Sequence, residues 1–372
     1  MPSLARLREA ADRIGGRQAE MKLALRVTIA GAVAFAITRA LDLPQGYWAA
    51  ITAVIVMQAS IGGSLKAALD RFAGTLAGAI YGGAVAAMIP HSTAMDLGLA
   101  VVAALFPLAL LAAVNPSFRV APVTSLIMLL PPLGQDIGPL AAALGRVAEI
   151  TLGNVVGVAV ALFVLPARAH SLMTEAAAKV VSLNAELVTI FMDELTAGPK
   201  GRSALQRLHP QIRSALKKAE NAADEAARER RSHLTDEADP EPLIRTLYRV
   251  RHDLVMIGRA AANPLPAPLR DRLTPSLTVL REETYRLLAD LAKSLKDRIP
   301  PPSPDAFRTA LQTFVSCTEV LRSEPSVRSL SSEAFGQIFA LRFAFEQFRK
   351  DLEDLLARGQ DLARQKSSDA ER

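Results

Sequence analysis

Six apolar stretches crowd the first 166 residues of the chain, near 23–41, 48–61, 72–89, 97–114, 120–133 and 147–165. A bilayer core asks for about 20 apolar residues per helix. The second and fifth stretches are short for that task. Helix breakers separate the six: Asp42-Leu43-Pro44-Gln45-Gly46, Gly62-Gly63, Pro90-His91-Ser92, Asn115-Pro116-Ser117 and Pro131-Pro132-Leu133-Gly134. Of 43 Lys and Arg, 11 lie in residues 1–166, leaving 43 − 11 = 32 for residues 167–372. Of 37 Asp and Glu, 8 lie in the first part and 37 − 8 = 29 in the second. Such a contrast marks a change of solvent from lipid to water.

The expected architecture is therefore all-α. Residues 1–20 form an amphipathic N-terminal arm, with Leu4, Leu7, Ala11 and Ile14 on one face. Residues 21–166 form a transmembrane bundle of six helices. Residues 167–359 form a cytoplasmic antiparallel helical bundle, and residues 360–372 a polar, disordered tail. A soluble protein with a very apolar core is the alternative, but the loop charges speak against it. Arg6, Arg8, Arg13, Arg17 and Lys22 precede the first stretch, Lys66 and Arg71 follow the second, Arg119 follows the fourth and Arg168 the sixth. The intervening loops carry Asp42, Asp96 and Asp136. Both termini are thus expected on the cytoplasmic side. Tyr47-Trp48, with the chain's one Trp, stands where an interfacial aromatic anchor belongs.

The soluble part reads as six helical segments, near 172–195, 203–231, 242–262, 268–298, 305–322 and 332–358. It offers no catalytic constellation, so the chain is not expected to be an enzyme. The five His are scattered without ligand spacing, and no metal is expected. No phosphate-binding glycine loop is present, and no cofactor is expected. Cys317, the single Cys, cannot close an intrachain disulfide and reads as a core thiol. The net charge of +6 is spread without a basic block, which argues against nucleic acid as a partner.

The six stretches fall into two sets of three. Pro44, Thr52 and Gly62 match Pro116, Thr124 and Gly134 at a constant offset, since 116 − 44, 124 − 52 and 134 − 62 all equal 72. Arg71 onward resembles Arg146 onward, and Pro90 pairs with Pro166. A repeat of three spans has opposite orientations in its two copies, which is a transporter arrangement with the site near short, interrupted helices. Gly74-x3-Gly78-x3-Gly82 and Gly153-x3-Gly157 are seams for close helix packing.

A charge within a span costs about 2.5–3.5 kcal/mol on insertion scales and calls for a reason. Arg26 and Arg39 lie towards the ends of the first span and are expected to snorkel. Arg146 and Glu149 share a face of the sixth, either as a structural ion pair or as an anion-binding cation beside a titrating carboxylate. Asn154 extends that face. The expected substrate-binding set is Arg71, Arg146, Thr52, Thr124, Gln58 and Asn154, with Glu149 for proton coupling.

Tyr47-Trp48-Ala49-Ala50-Ile51-Thr52-Ala53, then Gln58, Gly62-Gly63-Ser64-Leu65-Lys66-Ala67 and Arg71-x2-Gly74-Thr75-x2-Gly78, together resemble the fusaric-acid-resistance (aromatic acid exporter) membrane proteins. Arg146, Gly153 and Leu165-Pro166 are similar to the end of the same domain. Ala59 departs from the pattern, which often has Pro after that Gln. The resemblance implies a proton-driven inner-membrane exporter of aromatic carboxylic acids. The family is distantly similar to the plant aluminium-activated malate transporters, which also join a six-helix membrane half to a helical cytoplasmic half. Relatives often carry two membrane units; one unit here implies a homo-oligomer, with a dimer favoured. Two other readings stay open: a passive organic-anion channel, and a membrane module that recruits a partner through its helical bundle.

Overall fold

The computed structural model describes residues 18–43, 45–89, 93–130, 139–198, 201–323 and 332–370. Expectations for the N-terminal arm before Gln18 and for the Pro131–Gly134 break lie outside the described residues. The chain divides into two compact units, Met1–Arg168 and Ala169–Arg372.

In the first unit the helices are α1 (Gln18–Ala40), α2 (Tyr47–Val56), α3 (Ile61–Met88), α4 (Ala94–Val114), α5 (Ala121–Leu129) and α6 (Pro139–Phe163). Among the described residues three segments are long and apolar enough to cross a membrane: Glu20–Ala40, Ala94–Val114 and Ala143–Phe163. Helix α3 has 28 residues but carries Lys66, Asp70 and Arg71 in its first half. The second and fifth apolar stretches become helices of 10 and 9 residues. At 1.5 Å per residue each is only about 15 Å long, half the bilayer core.

The break after α2 is not where the glycine pair predicted it. Gly62 and Gly63 sit in the first turn of α3, so Lys66 and Arg71 belong to a helix and not to a loop. The interruption is Met57–Ser60 instead. Ser60 Oγ accepts from the Gly63 N–H at 2.9 Å, and Ser64 Oγ accepts from the Gln58 N–H at 2.9 Å. The Ser60 hydroxyl caps the new helix and Ser64 ties the preceding break back to it, so the two glycines begin a helix and do not end one. Helix α4 opens on a reciprocal cap, Thr93 Oγ1 accepting from the Asp96 N–H at 3.1 Å while Asp96 accepts from the Thr93 N–H.

The glycine seams pack reciprocally. A Cβ on Gly78 of α3 would lie 2.4 Å from the Ala121 carbonyl oxygen and 2.7 Å from the Thr124 Cβ of α5. A Cβ on Gly153 of α6 would lie 2.4 Å from the Ala49 carbonyl oxygen and 2.7 Å from the Thr52 Cβ of α2. The seam residues are 153 − 78 = 75 apart, and the residues they meet are 121 − 49 = 124 − 52 = 72 apart. The third helix of each set thus rests on the second helix of the other.

The second unit comprises α7 (Ala169–Ala197), α8 (Arg202–Arg231), α9 (Glu241–Ala260), α10 (Ala267–Asp297), α11 (Asp305–Ser323) and α12 (Ser332–Ala370). Contacts between opposite ends make neighbours antiparallel. The Ala169 N–H donates to Glu229 near the end of α8, and the Leu265 N–H, before α10, donates to the Leu195 carbonyl. Gln337 at the start of α12 donates to the Ala260 carbonyl at the end of α9. The buried leucines of α10 give way in α11 and α12 to an aromatic core of Phe307, Phe314, Phe345 and Phe348, in edge contacts of 6.2–6.4 Å. Cys317 is half-buried against this core. The tail is a correction: α12 continues to Ala370, because Leu362 and Ala363 extend its buried face.

Two buried polar groups knit this unit. Glu237 takes His170 Nδ1 at 2.9 Å and Arg298 Nη1 at 2.9 Å. Burial alone would push its carboxyl up; the bonds and charges of His170 and Arg298 prevail and hold it at about 2. Between α9 and α12, Asp253 lies against Asp351, with Arg249 bonded to Asp351 and Asp354. Burial, then the hydrogen bond and charge of Asp351, push Asp253 up to about 7, against the pull of Arg249. A folded carboxyl above its unfolded value of 3.8 stabilises the fold at low pH and loses that contribution as pH rises to about 7. The Asp253→Asn variant should therefore lose less stability than the parent between about pH 4 and pH 7. Urea titrations of the full chain at both pH values check this; parallel losses would contradict the raised Asp253 carboxyl.

Candidate functional site

The site is built around the half-length helix α2. Arg71, 8% exposed on α3, donates from Nε to Thr52 Oγ1 at 3.0 Å. Arg146, 5% exposed on α6, lays its guanidinium 3.6 Å from the centre of the Trp48 ring. Trp48 is thus half-buried beneath a cation, a favourable contact where water is scarce. Helix α2 can be approached this closely because the Gly153 and Gly157 seam lets α6 reach its backbone.

Arg146 Nε and Nη1 are buried and lack a hydrogen-bond partner. Glu149, one turn further along α6 and buried, feels the Arg146 charge and takes a bond from the Gln45 backbone. The two side chains make no direct salt bridge. Of the two readings of this pair, a closed structural ion pair is therefore not what the geometry contains. Arg71 and Arg146 are also near enough to feel each other's charge. Two cations beside one carboxylate leave a positive excess in a dry place, which favours an anion.

The other expected residues divide. Thr52 is buried in the cluster. Asn154 is buried and donates from Nδ2 to the Ala68 carbonyl at 3.1 Å, tying α6 to α3, while its Oδ1 has no partner. Thr124 lies away from the two arginines, against Gly78, and donates to the Val120 carbonyl. The Gln58 side chain is exposed and turns back to the Ile55 carbonyl. Its backbone carbonyl is the part that is used, by Arg26.

Arg26 corrects an expectation. It does not snorkel: it is 1% exposed, among the most buried large side chains of the chain. Its Nη2 donates to the carbonyls of Gln58 and Ala59 at 2.8 and 2.9 Å, while Nε and Nη1 are buried without partners. The carbonyls at a broken helix end carry negative partial charge, and this draws the guanidinium inward. The signal in the sequence is a charge within an apolar stretch; its partner stays hidden there because the glycine pair points to a break beyond the true one. Trp48 is likewise visible as an aromatic, but its cation is not. Among the described residues no group of three or more His, Cys, Asp or Glu is placed to hold a metal ion.

Long apolar helices, close-packed glycine seams and buried cations make this a multi-pass helical membrane protein. Residues 32–172 match the family model described as fusaric acid resistance protein-like, the family that the Tyr47–Gly78 motifs resemble. Over those residues the chain is similar to that family, which suggests a membrane transport or efflux-related protein. No curated protein matches the chain.

Proposed function

We propose that the protein is a secondary transporter that exports small organic anions, aromatic carboxylic acids in particular, across the bacterial inner membrane in exchange for protons. The observation that carries the reading is the convergence of Arg71 and Arg146 on α2, with donors of Arg146 buried and unpartnered and Glu149 adjacent but not bonded to it. A carboxylate supplies the missing acceptors through charge-assisted hydrogen bonds. Glu149, beside the same cations, would titrate as the substrate passes and so link the movement of the anion to that of a proton. The reciprocal glycine seams support two inverted sets of three helices, six crossings in all, with half-length α2 and α5 at matching positions. Cytoplasmic termini and a homodimer complete the proposal.

Full-length protein in liposomes tests it. Labelled 4-hydroxybenzoate should accumulate uphill when a pH gradient is imposed, and Glu149→Gln should reduce that accumulation by about tenfold or more while leaving insertion intact. Flux that follows voltage and ignores the pH gradient would instead establish an anion channel. No flux above empty liposomes would contradict transport of this class.

A further inference from the structure

Helix α2 meets three buried arginines, each from a different helix. Arg146 of α6 lies at Trp48, in the first turn. Arg71 of α3 lies at Thr52, in the middle. Arg26 of α1 lies at Gln58 and Ala59, just beyond the last turn. The first two contacts are four residues apart, about 6 Å at the helical rise, and the third lies past the end of the helix, in the Met57–Ser60 interruption. The cations therefore stand in order along the axis of one short helix and do not form a single cluster.

Capping two carbonyls accounts for Nη2 of Arg26 and leaves Nε and Nη1 dry and unpartnered. A buried donor without an acceptor is costly, the more so on a charged group. Arg146 has the same two nitrogens unpartnered at the other end of the helix. A role limited to capping the break explains half of the Arg26 guanidinium; an anion explains the other half.

We propose that Arg26 is an anion-binding residue at the end of α2 opposite Arg146, so that Arg26, Arg71 and Arg146 are three successive positions for a carboxylate. This deepens the organic-anion reading and rests on it. A lipid phosphate carries the same acceptor chemistry, so the test uses nanodiscs of zwitterionic lipid without and then with anionic lipid.

The probe is 4-hydroxybenzoate with the full-length chain. Phenylglyoxal modification of Arg26, read by mass spectrometry, needs no variant. The expected result is modification in the free protein and at least about fivefold protection by saturating acid, from occupancy of the position. Equal modification with and without the acid, or none in either case, overturns the proposal; protection by anionic lipid alone assigns the position to a headgroup and overturns the carboxylate assignment. Equilibrium binding adds a second arm. Arg26→Gln should weaken the binding about tenfold, and Arg26→Lys less. The fluorescence of Trp48, the only Trp, reports the Arg146 end, and its response to the acid should survive both substitutions. Protection of Arg26 without any liposome flux would retain this position and remove the transport reading. Flux with an indifferent Arg26 would do the reverse.

Discussion

Gly78→Val and Gly153→Val should each destabilise the membrane unit by about 3 kcal/mol or more, while Gly83→Val should be nearly neutral. Added atoms at the first two positions run into backbone carbonyl oxygens 2.4 Å away, and a carbonyl in a packed helix cannot swing aside. Ordinary overpacking costs about 1–3 kcal/mol because side chains give way; here the helices must separate, and lipid offers them little reason to reassemble. Gly83 has nothing within 4 Å of the place a Cβ would take and sits on the same helix as Gly78, so it controls for the effect of valine on helix propensity. Thermal melts of the detergent-solubilised full chain read the difference. Equal loss in all three variants would show that the seams are not contacts.

Arg298→Met should have the largest effect in the second unit, about 3–5 kcal/mol. Arg298 closes α10 in a left-handed conformation, φ 52°, and from there its guanidinium reaches Glu237, which is 6% exposed. Removing the cation leaves a buried carboxylate with His170 as its remaining partner in that trio. Glu237 sits below its unfolded value, so the pair's contribution is present above about pH 4.5 and disappears as pH falls toward 2. Parent and variant should accordingly differ most at neutral pH and converge in acid. Urea midpoints at pH 7 and pH 3 measure this. A constant gap across that range would mean that Arg298 acts through packing, not charge.

Much of the fold is legible in the sequence because solvent writes itself into composition. The described helices of the second unit lie within a few residues of the segments that apolar spacing at three and four marks, as for Leu280, Leu287, Leu288, Leu291 and Leu295, all buried in α10. The tail, expected to be disordered, differs for the opposite reason: polar residues dominate 360–372, but two apolar ones suffice to hold a helix once a long neighbour is present to receive them.

In the membrane unit, sequence by itself determined that the chain enters lipid, that two of its apolar stretches are too short to cross as regular helices, and that Arg71, Arg146 and Glu149 need a reason to be there. It also supplied both glycine seams and the offset that relates them. Tertiary structure alone decided which helix each seam meets, since a small residue permits close approach without naming a partner. It decided that Arg146 lies on Trp48 and leaves Glu149 unbonded, that Thr124 packs against a glycine away from the arginines, and that Arg26 turns inward to a helix break. Charge within an apolar run announces a cost, but the acceptors that offset it come from residues 32 and 33 positions away, and only folding brings them within reach.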